Sequence, residues 1–215
     1  MNRRLLITGA GGFLGSRICE YYSNRDGYEA VGVTHRELDI EDFVAVSAFV
    51  KAIRPDYVLH CAAISNTGAC ERNPVLSEKV NVRGTVNLAK ACRKAGSRMI
   101  FTSSDQIYNT SHSLEPNREG SEGKPGNVYG RDKKRAEEAM LTYLPDAVAL
   151  RLTWLYDAPS RGRVAGQGLL QKLTDALKER REVEFPVHDY RGITYVWEVV
   201  RHLEEAMGLP GGVYN

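Results

Sequence analysis

No apolar run in this sequence approaches the roughly 20 residues that a membrane-spanning helix requires. Met1-Asn2-Arg3-Arg4 leads straight into the strand-like Leu5-Leu6-Ile7-Thr8, without the apolar core of a secretory leader. The expectation is a cytoplasmic chain with no membrane partner. Cysteine is sparse: Cys19, Cys61, Cys70 and Cys92 stand far apart, with no C-x-x-C pair and no histidine cluster beside them. That spacing argues against a metal site and fits reduced thiols packed as small hydrophobes. A charge excess is also missing. The 29 Lys and Arg against 27 Asp and Glu leave a net charge of +2, spread along the chain. No concentrated basic face exists for nucleic acid to bind. Arg131, Lys133, Lys134 and Arg135 sit beside Glu137 and Glu138, and read as a solvated helix face. There is no internal repeat and no low-complexity tract.

What is present is a globular composition, 42% hydrophobic and 26% charged over 215 residues, enough for one substantial domain. Short apolar runs alternate with helical patterns. Strands are expected at residues 5–8, 30–34, 57–61, 99–102 and 147–152, and a weak one at 183–185. Helices are expected at 13–22, 42–53, 75–95, 128–143, 169–180 and 195–207. In the third of these, Val82, Val86, Ala89 and Cys92 make one stripe, and Gly96 ends it. Such alternation predicts an α/β fold: a Rossmann-type, doubly wound parallel sheet covered on both faces. Residues 109–127 and 157–168, rich in proline and glycine, read as loops. Loops that follow strand C-termini rim the ligand crevice of such a sheet, although both segments are also readable as plain surface loops.

Thr8-Gly9-Ala10-Gly11-Gly12-Phe13-Leu14-Gly15 joins the first strand to the first helix. A strand, a glycine turn and a helix N-terminus together aim backbone N–H groups and the positive helix end at a pyrophosphate. The spacing is G-x-x-G-x-x-G, with Gly11 extra. Position 14 is leucine, so G-x-G-x-x-G does not apply. At the tip of the second strand, Arg36 can pair with a 2′-phosphate and favours NADP, while Glu37 keeps NAD open. Asp39 and Ile40 follow within reach of an adenine.

The fourth strand ends at Ser103-Ser104-Asp105, and the helix after the polar loop begins Val128-Tyr129-Gly130-Arg131-Asp132-Lys133. Tyr129 and Lys133, four apart, share a helix face. An ammonium nearby is expected to lower the phenol's pKa, fitting Tyr129 to exchange a proton with a carbonyl oxygen that Ser104 holds. Tyr129 is the only tyrosine in the chain with a lysine four places on.

These motifs, with Leu38-Asp39-Ile40, His60-Cys61-Ala62-Ala63, Asn81-Val82-Arg83-Gly84-Thr85, residues 151–156 and Ile193-Thr194-Tyr195-Val196, resemble the extended short-chain dehydrogenase/reductase superfamily. Within it they resemble the dTDP-4-dehydrorhamnose reductase branch. The resemblance runs over nearly the whole chain. It implies an enzyme in which Gly9, Gly11, Gly12, Phe13 and Leu14 hold the cofactor pyrophosphate. Asp39 and Ile40 would contact adenine, Cys61, Ala62 and Ala63 would line the cofactor, and Asn81 would brace nearby backbone. Tyr129 would be the general acid, Lys133 would also bind the nicotinamide ribose, and Ser104 would polarise the carbonyl. The implied cofactor is NADP, with NAD as the alternative. The implied substrate is a nucleotide-linked sugar.

The sequence departs from the family pattern at several places. His60 and Cys61 stand in the usual Asn-Ala-Ala, Gln106 replaces a tyrosine, Asp132 a small residue, and Ile193 a proline. Family members normally continue past the equivalent of Asn215, so a small, truncated substrate lobe is expected over residues 157–215, interleaved with a cofactor domain over 1–156. The 75–95 and 128–143 helices could build a homodimer. The same branch includes the regulatory subunit of methionine adenosyltransferase, whose sequence the His60–Ala63 stretch also resembles. That gives a second reading, an NADP-binding regulatory protein without turnover.

Overall fold

The computed structural model describes residues 2–111, 115–158, 164, 169–184 and 192–215. Six parallel strands form the central sheet in the order β2-β1-β3-β4-β5-β8. These are β1 (Arg3–Thr8), β2 (Tyr28–Val33), β3 (Tyr57–His60), β4 (Arg98–Ser104), β5 (Val148–Leu152) and β8 (Gly212–Tyr214). Leu5, Leu6 and Ile7 of β1 are all fully buried, as a strand covered on both faces demands. Leu6, Val58, Met99 and Phe101 face α2 (Phe43–Ile53), α5 (Thr85–Ala95) and α6 (Val128–Tyr143). Leu5, Ile7, Leu59, Ile100 and Val148 face α1 (Phe13–Ser23) and α8 (Val196–Gly208). Each such side chain contributes about 1.5–3 kcal/mol by leaving water.

The chain moves outward from β1 to β2, then returns across β1 to β3. This reversal opens a crevice at the carboxyl ends of β1 and β3, where doubly wound sheets take their ligands.

The expected 75–95 helix is not continuous. It is built from α4 (Pro74–Glu78), a π-helical turn (Lys79–Gly84) and α5. The wide turn directs Asn81 inward, where its Oδ1 accepts from Ile64 N–H at 2.9 Å and its Nδ2 donates to Ile64 O at 3.1 Å. Gly84 also needs to be glycine, since a Cβ there would lie 2.6 Å from Ile40 Cδ1. A further short helix, α3 (Thr67–Arg72), lies in a polar stretch without helical periodicity, and Asn66 caps it. Arg181–Glu184 form no strand, and Phe185 lies outside the described residues. Most of the expected 157–168 loop lies outside them too; Asp157, Ala158 and Val164 are irregular. A two-stranded ribbon pairs β6 (Trp154–Tyr156) with β7 (Ile193–Tyr195), and α7 spans Leu169–Glu179. Helices α5 and α6 pack against each other within the chain. Among the described residues no helix is long and apolar enough to cross a membrane, and no metal-holding cluster occurs.

Candidate active site

The turn after β1 is as tight as its glycines imply. Gly9 takes φ +71°, and a Cβ on it would lie 2.7 Å from Ala62 N and 2.8 Å from the Cys61 carbonyl carbon. A Cβ on Gly15 would lie 2.2 Å from Gly9 O. Gly12 N–H donates to Gly9 O at 2.9 Å, and Ala10 N–H to Val33 O at 3.0 Å. Gly12 is the N-cap of α1 and has no side chain to seal it. The first N–H groups of that helix therefore have no intrahelical carbonyl and no capping side chain. An uncapped helix end behind a cradle of glycines fits a dinucleotide pyrophosphate. Leu14 turns its side chain into the core, so only its backbone is free for such a ligand. The Phe13 ring lies 3.9 Å beneath the Arg17 guanidinium. Arg17 is itself buried, paired with Asp157 at 2.7 Å beyond the end of β6, and it donates to Phe13 O at 2.7 Å.

At the β2 tip Glu37 is occupied. Its Oε2 accepts from both Thr34 N–H and Thr34 Oγ1 at 2.8 Å, which holds the carboxyl below its ordinary range. Arg36 is exposed beside it. Asp39 is exposed and accepts from Glu41 N–H at 2.9 Å. Ile40 is a core residue packed on Gly84, so its side chain is not available to an adenine. Cys61, Ala62 and Ala63 follow β3 directly, and the first two abut Gly9. All four cysteines are free thiols, and burial pushes Cys61 up to about 12.

Ser104, Tyr129 and Lys133 do converge. Asn127 starts α6 by accepting Gly130 N–H at 2.7 Å, and Glu71 of α3 accepts Val128 N–H at 2.6 Å. This places the buried Tyr129 beside Ser104, whose hydroxyl acts to lower the pKa of the phenol. Lys133, 2% exposed, donates from Nζ to Thr102 O at 2.7 Å, with the same atom 5.7 Å from the centre of the Tyr129 ring. Burial brings the Lys133 ammonium down to about 8. The expected acidification of Tyr129 does not hold here. Burial raises its pKa, only partly offset by Ser104, because Lys133 spends a donor on Thr102 and lies against the ring. Three contributors escaped sequence reasoning: the Thr102 carbonyl, the Glu71 cap and the Arg17–Asp157 pair. Only the Asn127-x-x-Gly130 spacing offered a local signal, that of a helix cap.

A cleft of about 890 Å³ opens at the opposite edge of the sheet, among Arg3, Lys51, Arg54, Lys94 and Arg98. It shares no residue with this site. Arg54 and Lys94 lie at the C-terminal ends of α2 and α5, where cations complement the helix carbonyls.

Residues 3–208 match the family described as the RmlD substrate binding domain. The chain belongs to that family. Its relatives include dTDP-4-dehydrorhamnose reductase of Mycolicibacterium smegmatis, 33% identical over 183 residues, covering 81% of this chain and 55% of that protein. Methionine adenosyltransferase 2 subunit beta of Xenopus tropicalis is 32% identical over 160 residues, covering 72% of this chain and 47% of that one. The chain spans about half the length of these curated relatives. Among solved structures, dTDP-4-dehydrorhamnose reductase from Bacillus anthracis in complex with NADP superposes with a TM-score of 0.91 at 26% identity. That match covers 100% of this chain and 74% of the other. The motif resemblance and the doubly wound fold are both borne out.

Proposed function

We propose that this chain is the cofactor-binding and catalytic part of an NAD(P)-dependent reductase that acts on the keto group of a nucleotide-linked sugar. One observation carries the reading. Tyr129, Ser104 and Lys133 converge at the carboxyl end of β4, on the same sheet edge as an uncapped glycine turn that fits a pyrophosphate. The names of the relatives and the NADP-bound neighbour support it.

The turn of Gly9, Gly11, Gly12, Phe13 and Leu14 would hold the pyrophosphate, its Gly12 N–H staying on Gly9 O and the open start of α1 meeting the anion. Arg36 would meet a 2′-phosphate, since Glu37 is committed to its own turn. Asp39 would lie toward the adenine, and Cys61, Ala62 and Ala63 would line the cofactor. When bound, the nicotinamide supplies the hydride. Ser104 holds the substrate's carbonyl oxygen and Tyr129 gives it a proton. A raised pKa keeps that proton on the phenol until transfer, and the Lys133 charge then compensates the phenolate. Residues 1–156 would form the cofactor side. Residues 157–215 would contribute to the substrate side while interleaved with the cofactor domain, since α8 and β8 return to the central sheet, and Arg17 and Asp157 tie them to the pyrophosphate turn. The four free thiols suit a reducing, cytoplasmic setting.

The test uses purified protein. NADPH is expected to raise the melting temperature more than NADH does, and Arg36→Ala to erase the difference. Equal or reversed shifts would remove the NADP preference. Tyr129→Phe is expected to lower turnover of a nucleotide ketosugar by roughly 10²–10⁴-fold and to leave NADPH binding intact. The similarity to methionine adenosyltransferase 2 subunit beta favours a second reading, a non-catalytic regulatory subunit. A stable hetero-oligomer without turnover would select it, and turnover by the chain alone would reject it.

A further inference from the structure

The turn that carries Ser104 and the helix that carries Tyr129 are clasped together by three side-chain amides. A 3₁₀ turn (Asp105–Tyr108) follows β4 directly, and Gln106 lies in it, half-buried. Asn127, the cap of α6, spends its Oδ1 on Gly130 N–H at 2.7 Å. Asn109, which ends the 3₁₀ turn, spends its Oδ1 on Gly126 N–H at 2.7 Å. Each asparagine is left with its NH2 group, and both groups donate to one atom. That atom is Gln106 Oε1, 2.9 Å from Asn127 Nδ2 and 3.5 Å from Asn109 Nδ2.

The backbone of Gln106 acts at the same junction. Its N–H donates to Ser104 Oγ at 3.2 Å, which fixes the serine oxygen as an acceptor. The serine proton, given to Asp105 Oδ1 at 3.3 Å, makes a long and therefore weak bond, so it is free to turn toward a carbonyl oxygen. Gln106 O faces the first turn of α6 so closely that a Cβ on Gly130 would lie 2.4 Å from it. Further along the helix, Lys133 ties α6 to Thr102 O. Tyr129 thus lies between two attachments to β4 and its turn, Asn127 on one side and Lys133 on the other. With the lysine alone, the start of the helix could pivot about that bond and carry the phenol away from Ser104. The Glu71 cap comes from α3, which does not bear the serine. Gln106 also stands where the family pattern has a tyrosine, so the amide that closes the clasp belongs to this sequence.

We infer that Gln106 is a positioning residue: it holds the start of α6 against the turn after β4 and so sets the separation of the Ser104 hydroxyl and the Tyr129 phenol. Its effect on turnover rests on the reductase reading, whereas the clasp itself does not.

The experiment compares Gln106→Met, Gln106→Glu, Asn127→Ser and the double variant Gln106→Met/Asn127→Ser in the purified protein. Gln106→Met keeps the length and bulk of the side chain and removes its acceptor oxygen. It is expected to lower kcat on the nucleotide ketosugar that the wild type turns over by roughly 10-fold, with NADPH affinity unchanged. Gln106→Glu restores an acceptor for both NH2 groups and is expected to recover most of the loss. An unaltered kcat in Gln106→Met, or an equal loss in Gln106→Glu, would overturn the positioning role. In Asn127→Ser the hydroxyl still caps the helix but has no amide to give Gln106. Independent sites have independent effects, whereas members of one network do not. A double variant whose kcat falls by less than the product of the two single losses supports the clasp, and losses that multiply overturn it. A wild-type protein without turnover would sink the reductase reading. The same cycle read in melting temperatures would then decide the clasp, with strict additivity against it.

Discussion

Helices α1 and α6 both begin at the carboxyl edge of the sheet, and the molecule treats their first turns in opposite ways. Helix α6 is sealed twice: Asn127 takes the N–H of Gly130, and Glu71 reaches from α3 to take that of Val128. Helix α1 opens with Gly12 and no capping side chain. Both ends present the same orphan donors and the same positive end of a helix dipole. Where the chain satisfies the donors itself, the helix becomes a rigid mount for Tyr129. Where it leaves them open behind glycines, the end is a seat for an anion. The difference separates a positioning element from a binding element by means of capping alone.

The largest expected effect comes from filling the open end. Gly9→Ala would force a side chain into a left-handed conformation and onto the backbone of Ala62. Stability should fall by on the order of 3 kcal/mol in urea unfolding, combining a left-handed penalty with overpacking. The NADPH-induced melting shift should vanish as well. A variant that folds and binds normally would show that the cradle is looser than drawn.

Acid should loosen the exit of β1 next. Burial, assisted by the Lys133 charge, lowers His60 from 6.5 to about 3, so its ring stays neutral in the folded chain. In the unfolded chain it takes a proton below 6.5. Protons then favour unfolding, and stability falls as the pH drops from 6.5 toward 3. At pH 5.5 the loss is about 1.4 kcal/mol, and it is absent well above 6.5. Denaturant midpoints across this range should show the slope in the wild type and a flatter profile in His60→Asn. Identical slopes would clear His60 of the effect.

Unsealing α6 should matter least. Asn127→Ala is expected to cost about 1 kcal/mol, the usual worth of an N-cap, and to leave the NADPH shift unchanged. Loss of that shift would erase the distinction between the two helix ends.

Strand–helix alternation, the glycine turn and the Tyr129–Lys133 spacing were legible in the sequence because each depends on neighbours within a few residues. What stayed hidden depends on distance or burial. The stripe of Val82, Val86, Ala89 and Cys92 runs across the π turn without a break in pattern, so the 75–95 helix read as one. Strands β6, β7 and β8 are three residues each, too short for a period, and are specified by partners far along the chain. Arg17 and Asp157 meet across 140 positions. The raised pKa of Tyr129 follows from burial, on which a four-residue spacing is silent. Ile40 follows Asp39 in a motif tied to adenine, yet Gly84 draws it into the core.

The π turn at Lys79–Gly84 carries a lesson about length. It accommodates a residue that a regular helix would have no room for, and so keeps Asn81 aimed at Ile64. Removing one residue there would leave every helix-forming preference satisfied and the apolar stripe nearly intact. It would also turn one part of the helix by about 100° against the other, swinging the asparagine away from its backbone partners. This stretch can absorb many exchanges of one amino acid for another, but not a change in their number.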